Sequence, residues 1–127
     1  MVYSDYSTIE DLQKAYAQGR REFENWDFEE DGSAQGLDLN GIEFRNCFLF
    51  LDFKNANLAN AKFISCNLKT ADFSGANLEN ARINNCLVES TLFEGAKLNN
   101  FQFEENYYFG VTVGQKDFEA FFKDKVK

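Results

Sequence analysis

The 127-residue chain contains no histidine and no proline. Without histidine, Ser–His and Cys–His nucleophilic pairs and histidine-ligated metal sites are excluded. No run of 18 apolar residues occurs, which excludes a hydrophobic transmembrane helix and predicts no membrane association. The N-terminus, MVYSDYSTIEDLQ, lacks a basic region followed by an apolar one, so no signal peptide is visible and a cytoplasmic protein is expected. There is no C-x-x-C pair, no Gly-rich phosphate loop and no basic patch, and no metal or cofactor is expected. Lysine and arginine total 13 against 21 aspartates and glutamates, a net charge of −8. That balance argues against nucleic acid as a direct partner.

What the chain has is phenylalanine, 15 in all, and a strict period. From Phe53 to Phe103 a large apolar residue recurs at every fifth position: Leu58, Phe63, Leu68, Phe73, Leu78, Ile83, Val88, Phe93 and Leu98 lie between. We call these residues centres. Two residues before most of them stands a small one, as in Ala56, Ala61, Ala71 and Ala76. Helices place apolar residues 3.6 apart and strands 2.0 apart, so neither element survives a step of five. A solenoid that turns about a right angle every five residues does fit. Four sides close one coil, and residue n lies under residue n+20. The columns keep residue type: Phe53, Phe73 and Phe93 form one, and Leu58, Leu78 and Leu98 the next.

The units ANLAN, ADFSG, ANLEN and AKLNN resemble the A-(D/N)-L-x-x unit of pentapeptide-repeat proteins, over roughly residues 20–113. The resemblance implies an all-β solenoid, a right-handed quadrilateral β-helix of about 4.5 coils. Asn60, Asn80 and Asn100, with Gly75 and Gly95, fall two after centres. They are expected at corners, where Asn and Gly accept positive φ.

Before Phe53 the repeat slips twice. Phe28 to Leu39 is one residue too long and Leu49 to Phe53 one too short, so the slips cancel. Leu39, Phe44 and Leu49 then fall under Leu58, Phe63 and Leu68. Residues 29–36, EEDGSAQG, offer no apolar centre and read as a bulged corner loop, and residues 48–51 as a tightened corner. A second register would instead put Phe48 on the centre and Leu49 outside. With the slip allowed for, Cys47, Cys66 and Cys86 share one column. They are expected inward, reduced and small-residue-like.

The ends read as lids, which a solenoid needs over its apolar cross-section. Residues 7–19 suit a helix, with Ser7 and Glu10 as a capping box and Ile9, Leu12, Ala15 and Tyr16 on one face. Residues 115–126 suit a second, with Phe118, Phe121, Phe122 and Val126 on one face. Phe103, Tyr108 and Val113 would form the last coil beneath it. A monomer is favoured, and an end-to-end dimer is the alternative.

A filled solenoid offers no cleft for catalysis, so a non-enzymatic structural or protein-interaction module is expected. Outward positions include Leu87 and Leu92 on adjoining sides, Tyr107 one coil beyond Leu87, and Phe109 nearby. They read either as a contact surface for a protein partner or as residues covered by the C-terminal helix. Glu29, Glu30 and Asp31 form a possible acidic loop. Residues 1–54 hold twelve acids and five bases, so the acidity lies mostly in that half. The family resemblance adds an alternative function, DNA mimicry directed at DNA gyrase or topoisomerase IV, in the manner of quinolone-resistance relatives. Against it stand the short rod and the bases Lys62, Lys69, Arg82 and Lys97 among the acids of the middle coils.

Overall fold

The corners set the architecture. At almost every unit the residue two after the centre has a positive φ, near +60° at Asn46, Asn60, Asn80 and Asn100 and +70° at Gly75. Asn tolerates this left-handed region and Gly enters it freely, which is why the corner positions are rich in both. Gly75 has a second reason. A Cβ there would lie 2.2 Å from Asn55 Oδ1, whose side chain folds over the corner.

The computed structural model describes residues 7–122, and of Glu29, Glu30 and Asp31 it describes the backbone alone. The acidic-loop reading therefore concerns side chains outside the described ones. Helix α1 (Ile9–Ala17) comes first. Strands β1 (Glu22–Glu24), β2 (Asp27–Ser33), β3 (Glu43–Arg45), β4 (Phe48–Asp52), β5 (Lys62–Ile64), β6 (Arg82–Asn84), β7 (Gln102–Glu104), β8 (Asn106–Tyr108) and β9 (Val111–Val113) follow, then α2 (Gln115–Phe121).

The first side of the solenoid is a five-stranded parallel sheet, β1-β3-β5-β6-β7, in the register Phe23↔Phe44↔Phe63↔Ile83↔Phe103. The second side stacks Phe28, Leu49, Leu68, Val88 and Tyr108, and the third Phe53, Phe73 and Phe93. The fourth stacks Leu39, Leu58, Leu78 and Leu98. The expected register holds, and Leu49 is buried while Phe48 is 43% exposed, which excludes the second register. The third-side rings stack face to face at 5.1 and 5.3 Å.

Both slips sit at one place in the stack, where β2 lies on β4. Asp27↔Phe48 and Phe28↔Leu49 pair normally, and pairing resumes at Gly32↔Leu51. Residues 29–31 bulge between. The expectation of a corner loop without a centre is corrected: Ala34 is fully buried and takes the centre beneath Phe53. Residues 48–51 are likewise strand rather than a tight turn. Leu51 points inward two residues before Phe53, where other coils carry the smaller Ala71 and Thr91. Gly32 beneath it makes the space, since a Cβ there would lie 2.8 Å from Leu51 Cδ2.

The N-terminal lid is confirmed and its cap corrected. Thr8, not Ser7, is the N-cap, with Oγ1 accepting from the Asp11 amide at 3.0 Å. Ser7 instead pairs with the solenoid: its amide donates to Asp27 O and its Oγ accepts from the Asp27 amide. Leu12 is fully buried on the first coil. At the other end the solenoid stops at Tyr108. The chain does not continue to Val113 as a further side. Phe109 (φ +50°) and Gly110 (φ +81°) form a two-residue turn, and β9 returns antiparallel on β8. Two successive positive φ values are what a tight hairpin requires. Phe118 of α2 and Phe122 at its C-cap then cover Phe93 and Phe103 at ring distances of 5.0 to 5.5 Å. The expected continuation of this helix to Val126 lies outside the described residues.

Candidate functional site

One outward position explains the recurrent Asp or Asn. The residue just before the centre points to solvent, and its side-chain oxygen accepts the backbone N–H two residues on. Asn57 does so from Ala59 (3.1 Å), Asn67 from Lys69 (3.0 Å), Asp72 from Ser74 (2.9 Å) and Asn77 from Glu79 (3.0 Å). Each bond satisfies a corner amide locally, an Asx turn repeated coil after coil.

On the second side this device is kept at Asn67 and given up at Phe48, Leu87 and Tyr107. Its outward column runs Asp27, Phe48, Asn67, Leu87, Tyr107, each bridged to the next. Three of the five are large and apolar. Phe50 adds a ring 6.2 Å from Phe48, and Phe109 projects 67% exposed from the hairpin above. Leu92, 52% exposed, stands around the corner in the column Asp52–Asp72–Leu92. The structure thus brings Leu87, Tyr107 and Phe109 together and keeps Leu92 beside them on the adjoining side. α2 turns to the core and leaves Leu92, Tyr107 and Phe109 exposed. Phe48 and Phe50 were missed in the sequence. The available signal was position: Phe48 precedes Leu49 as Leu87 precedes Val88.

Between this column and the corner column Asn46–Ser65–Asn85 runs a shallow, mostly apolar groove, parallel to the solenoid axis, with Cys47 and Cys66 at its floor. Asn85 Nδ2 donates to Ser65 Oγ at 2.9 Å and firms that wall. The cations nearest the groove are neutralised: Arg45 by Glu43, and Lys69 by Glu89 at 3.6 Å. Glu89 also accepts the Phe109 amide at 2.8 Å, which fixes the hairpin tip against the second side.

The cysteines behind the groove are structural. At first-side corners the turn makes no internal hydrogen bond, and the column two before the second-side centres supplies it instead. Cys47, Cys66 and Cys86 thiols donate to Phe23 O, Phe44 O and Phe63 O at 3.3 to 3.4 Å. Cys86 Sγ accepts from the Cys66 amide. Asn106 closes the column. Fully buried, it donates from Nδ2 to Ile83 O and accepts the Cys86 amide at Oδ1. A side-chain hydrogen bond between Cys47 and Cys66, reinforced by burial, holds the Cys47 thiol far above its usual range. The bond to Cys47 pulls Cys66 down, but the bond to Cys86 and burial outweigh it and push Cys66 up to about 12. Cys47 and Cys66, held protonated, are poor nucleophiles and poor metal ligands. At Cys86 burial raises the pKa, but hydrogen bonds with Cys66 and the backbone outweigh it and lower it, so that thiol is shielded by its complete burial alone. Among the described residues no three Cys, Asp or Glu converge as a metal site, and no helix is long and apolar enough to cross a membrane.

Residues 52–88 match the family model for pentapeptide repeats, in eight copies. A solved pentapeptide repeat protein from Nostoc PCC 7120 is 27% identical, with 84% of each chain covered and a TM-score of 0.50. One from the Arabidopsis thaliana thylakoid lumen is 18% identical, covering 68% of this chain and 60% of that one, with a TM-score of 0.61. HetL, a protein of Nostoc sp. strain PCC 7120 involved in heterocyst differentiation regulation, is 20% identical, covering 72% of this chain and 49% of its own, with a TM-score of 0.52. No curated protein matches the sequence.

Proposed function

The chain is a pentapeptide-repeat protein, and from that premise we propose that it is a protein-interaction module without chemistry of its own, whose contact surface is the second side. One observation carries the reading. Phe48, Leu87 and Tyr107 occupy positions where this same chain elsewhere uses Asp or Asn to satisfy a corner amide. The fold gives up a corner hydrogen bond at these positions, and water is a poor solvent for the apolar side chains that replace it. Lys97 on the fourth side also lacks the bond, but a lysine is well solvated. Clustered apolar residues without a structural duty mark a contact surface.

The test is capture of partners from host extract with three proteins: the parent, Leu87→Asn with Tyr107→Asn, and Asn77→Asp on the fourth side. A partner retained by the parent and Asn77→Asp but lost by the double variant supports the reading. A partner retained by all three places the contact elsewhere.

The acidity of residues 1–54 favours a second reading, mimicry of DNA toward gyrase or topoisomerase IV. It is the weaker one. Four coils at about 4.8 Å span roughly 20 Å. The first-side outward column sets Lys62 and Arg82 among Glu22, Glu43 and Gln102, so no unbroken acidic stripe forms there.

A further inference from the structure

We propose that the partner presented to the second side is a basic amphipathic α-helix lying along the groove. The proposal rests on the reading of that side as the contact surface. Two features of the groove specify the occupant: its spacing and the charge at its ends.

Tyr107 and Leu87 are one coil apart, and Leu87 and Phe48 two, with Asn67 between. At about 4.8 Å per coil the steps are about 5 Å and about 10 Å, roughly 14 Å in all. A helix rises 1.5 Å per residue, so positions n, n+3 and n+10 sit at 0, about 4.5 and about 15 Å on one face. An apolar stripe of that spacing meets all three side chains, and Asn67 faces a polar residue of the stripe.

The floor and walls carry little charge, and the ends carry negative charge. The apolar column begins on Asp27, beneath Phe48. The corner column Asn46–Ser65–Asn85 continues into Glu105, with Glu104 beside it. The nearby cations Arg45 and Lys69 are already held by Glu43 and Glu89. Carboxylates at both ends of an apolar trough fit lysine or arginine at both ends of an apolar stripe. The net charge of −8 steers such a segment in from solution and repels an acidic one.

The probe is a hydrocarbon-stapled peptide of about 18 residues with leucines at n, n+3 and n+10, lysines at both ends, and alanine and glutamine elsewhere. A peptide of the same composition with two central prolines is the unfolded control, and one with glutamates for lysines is the charge control. Binding is read by fluorescence anisotropy and located by amide shift perturbation. The proposal expects micromolar binding of the stapled basic peptide only, weakened by salt, with shifts at Asn46, Ser65, Asn85 and Leu87. Leu87→Asp should weaken it about tenfold and Asn77→Asp should leave it unchanged. Asp suits position 87, since Asp72 stands at the equivalent place one side on, so the variant folds. Equal binding of the proline peptide overturns the helix but leaves the second side as the contact surface. Equal binding of the acidic peptide overturns the charge argument. Binding unaffected by Leu87→Asp overturns both the helix site and the contact surface. Failure of the stapled peptide to bind overturns the proposal, and Leu87-dependent self-association in light scattering alongside it would name a second copy as the occupant.

Discussion

Leu87 stands directly over Asn67, one coil up in the same outward column, and lacks a hydrogen bond that Asn67 makes. Asn67 Oδ1 accepts the Lys69 amide at 3.0 Å, and leucine has nothing to offer the equivalent Glu89 amide. Leu87→Asn should therefore restore the bond, whereas Leu87→Ala loses apolar contact and restores nothing. The asparagine variant should be the more stable of the two by about 0.5–1.5 kcal/mol, the net worth of one such bond. Denaturant midpoints compare them directly. Equal midpoints would remove the claim that the apolar residues displace a structural device.

Gly32 and Leu51 should be coupled in the same way that they are packed. A methyl added at Gly32 meets Leu51 Cδ2 at 2.8 Å, inside a filled core. Gly32→Ala should cost about 1–3 kcal/mol by overpacking. In the background of Leu51→Ala, which restores the small residue of the Ala71 position, the same change should cost far less. A double-mutant cycle measures the difference. Additive effects would show that the bulge at 29–31, rather than this contact, dictates the glycine.

Most of this fold was legible because a period of five is incompatible with helix and strand alike, and because two slips that cancel leave the columns intact. The slips themselves were harder to place. Ala34 occupies a column of phenylalanines, and a lone alanine in an acidic run carries no hydrophobic signal. Leu51 broke the small-residue rule, and only Gly32 one coil below reveals how it fits. Nothing in the residue type of Asn106 marks it as buried. Its position two before Tyr108 matches Cys86 before Val88, and that match was the signal for a buried hydrogen-bonding role. The Phe109–Gly110 turn is hidden behind the expectation of a last coil running through Tyr108 to Val113, because a hairpin needs only two residues to reverse the chain. In the contact surface, Leu87, Leu92, Tyr107 and Phe109 were visible as outward apolar residues. Phe48 and Phe50 hid beside the slip, where the choice of Leu49 as centre was still open.

The thiol column predicts a pH dependence. Cys66 is pushed up to about 12 in the folded protein, against about 8.5 for an exposed thiol. Above about pH 8.5 the unfolded chain gives up this proton and the folded chain keeps it, so stability present below that pH is lost as pH rises toward 12. Cys66→Ala should flatten part of the fall in denaturant midpoint between pH 8 and pH 10. The native protein should also resist thiol reagents and show three thiols on unfolding. Rapid labelling of folded protein, or an identical pH profile for the variant, would contradict the hydrogen-bonded column.

Mimicry of DNA makes a prediction opposite to the interaction-module reading. An acidic rod that competes with DNA should inhibit gyrase supercoiling, with salt weakening the effect. Paired cations such as Lys54, 3.7 and 3.8 Å from Asp52 and Asp72, interrupt the acidity of the third side. The expected result is no inhibition at micromolar concentration in a supercoiling assay. Potent, salt-sensitive inhibition would reverse the order of the two functional readings.

The C-terminal helix should keep the rod single. β7 is the last strand of the first-side sheet, and its edge would otherwise offer unpaired backbone to another chain. Gln115 closes that edge, since its Oε1 accepts the Phe103 amide at 3.0 Å. Phe118 and Phe122 close the apolar cross-section over Phe93 and Phe103, each ring burying on the order of 150–250 Å². Gly114 is extended (φ −130°) at the N-cap, and Asp117 caps the start of the helix by accepting the Gly114 amide at 2.9 Å. Light scattering should report a monomer for the full chain. Deleting residues 115–127 should uncover both the edge and the rings, and dimers or aggregates should appear. Phe118→Asp should act similarly while leaving the edge cover in place, which separates apolar exposure from strand pairing. A full-length dimer that became a soluble monomer on deletion would show instead that α2 joins two copies end to end.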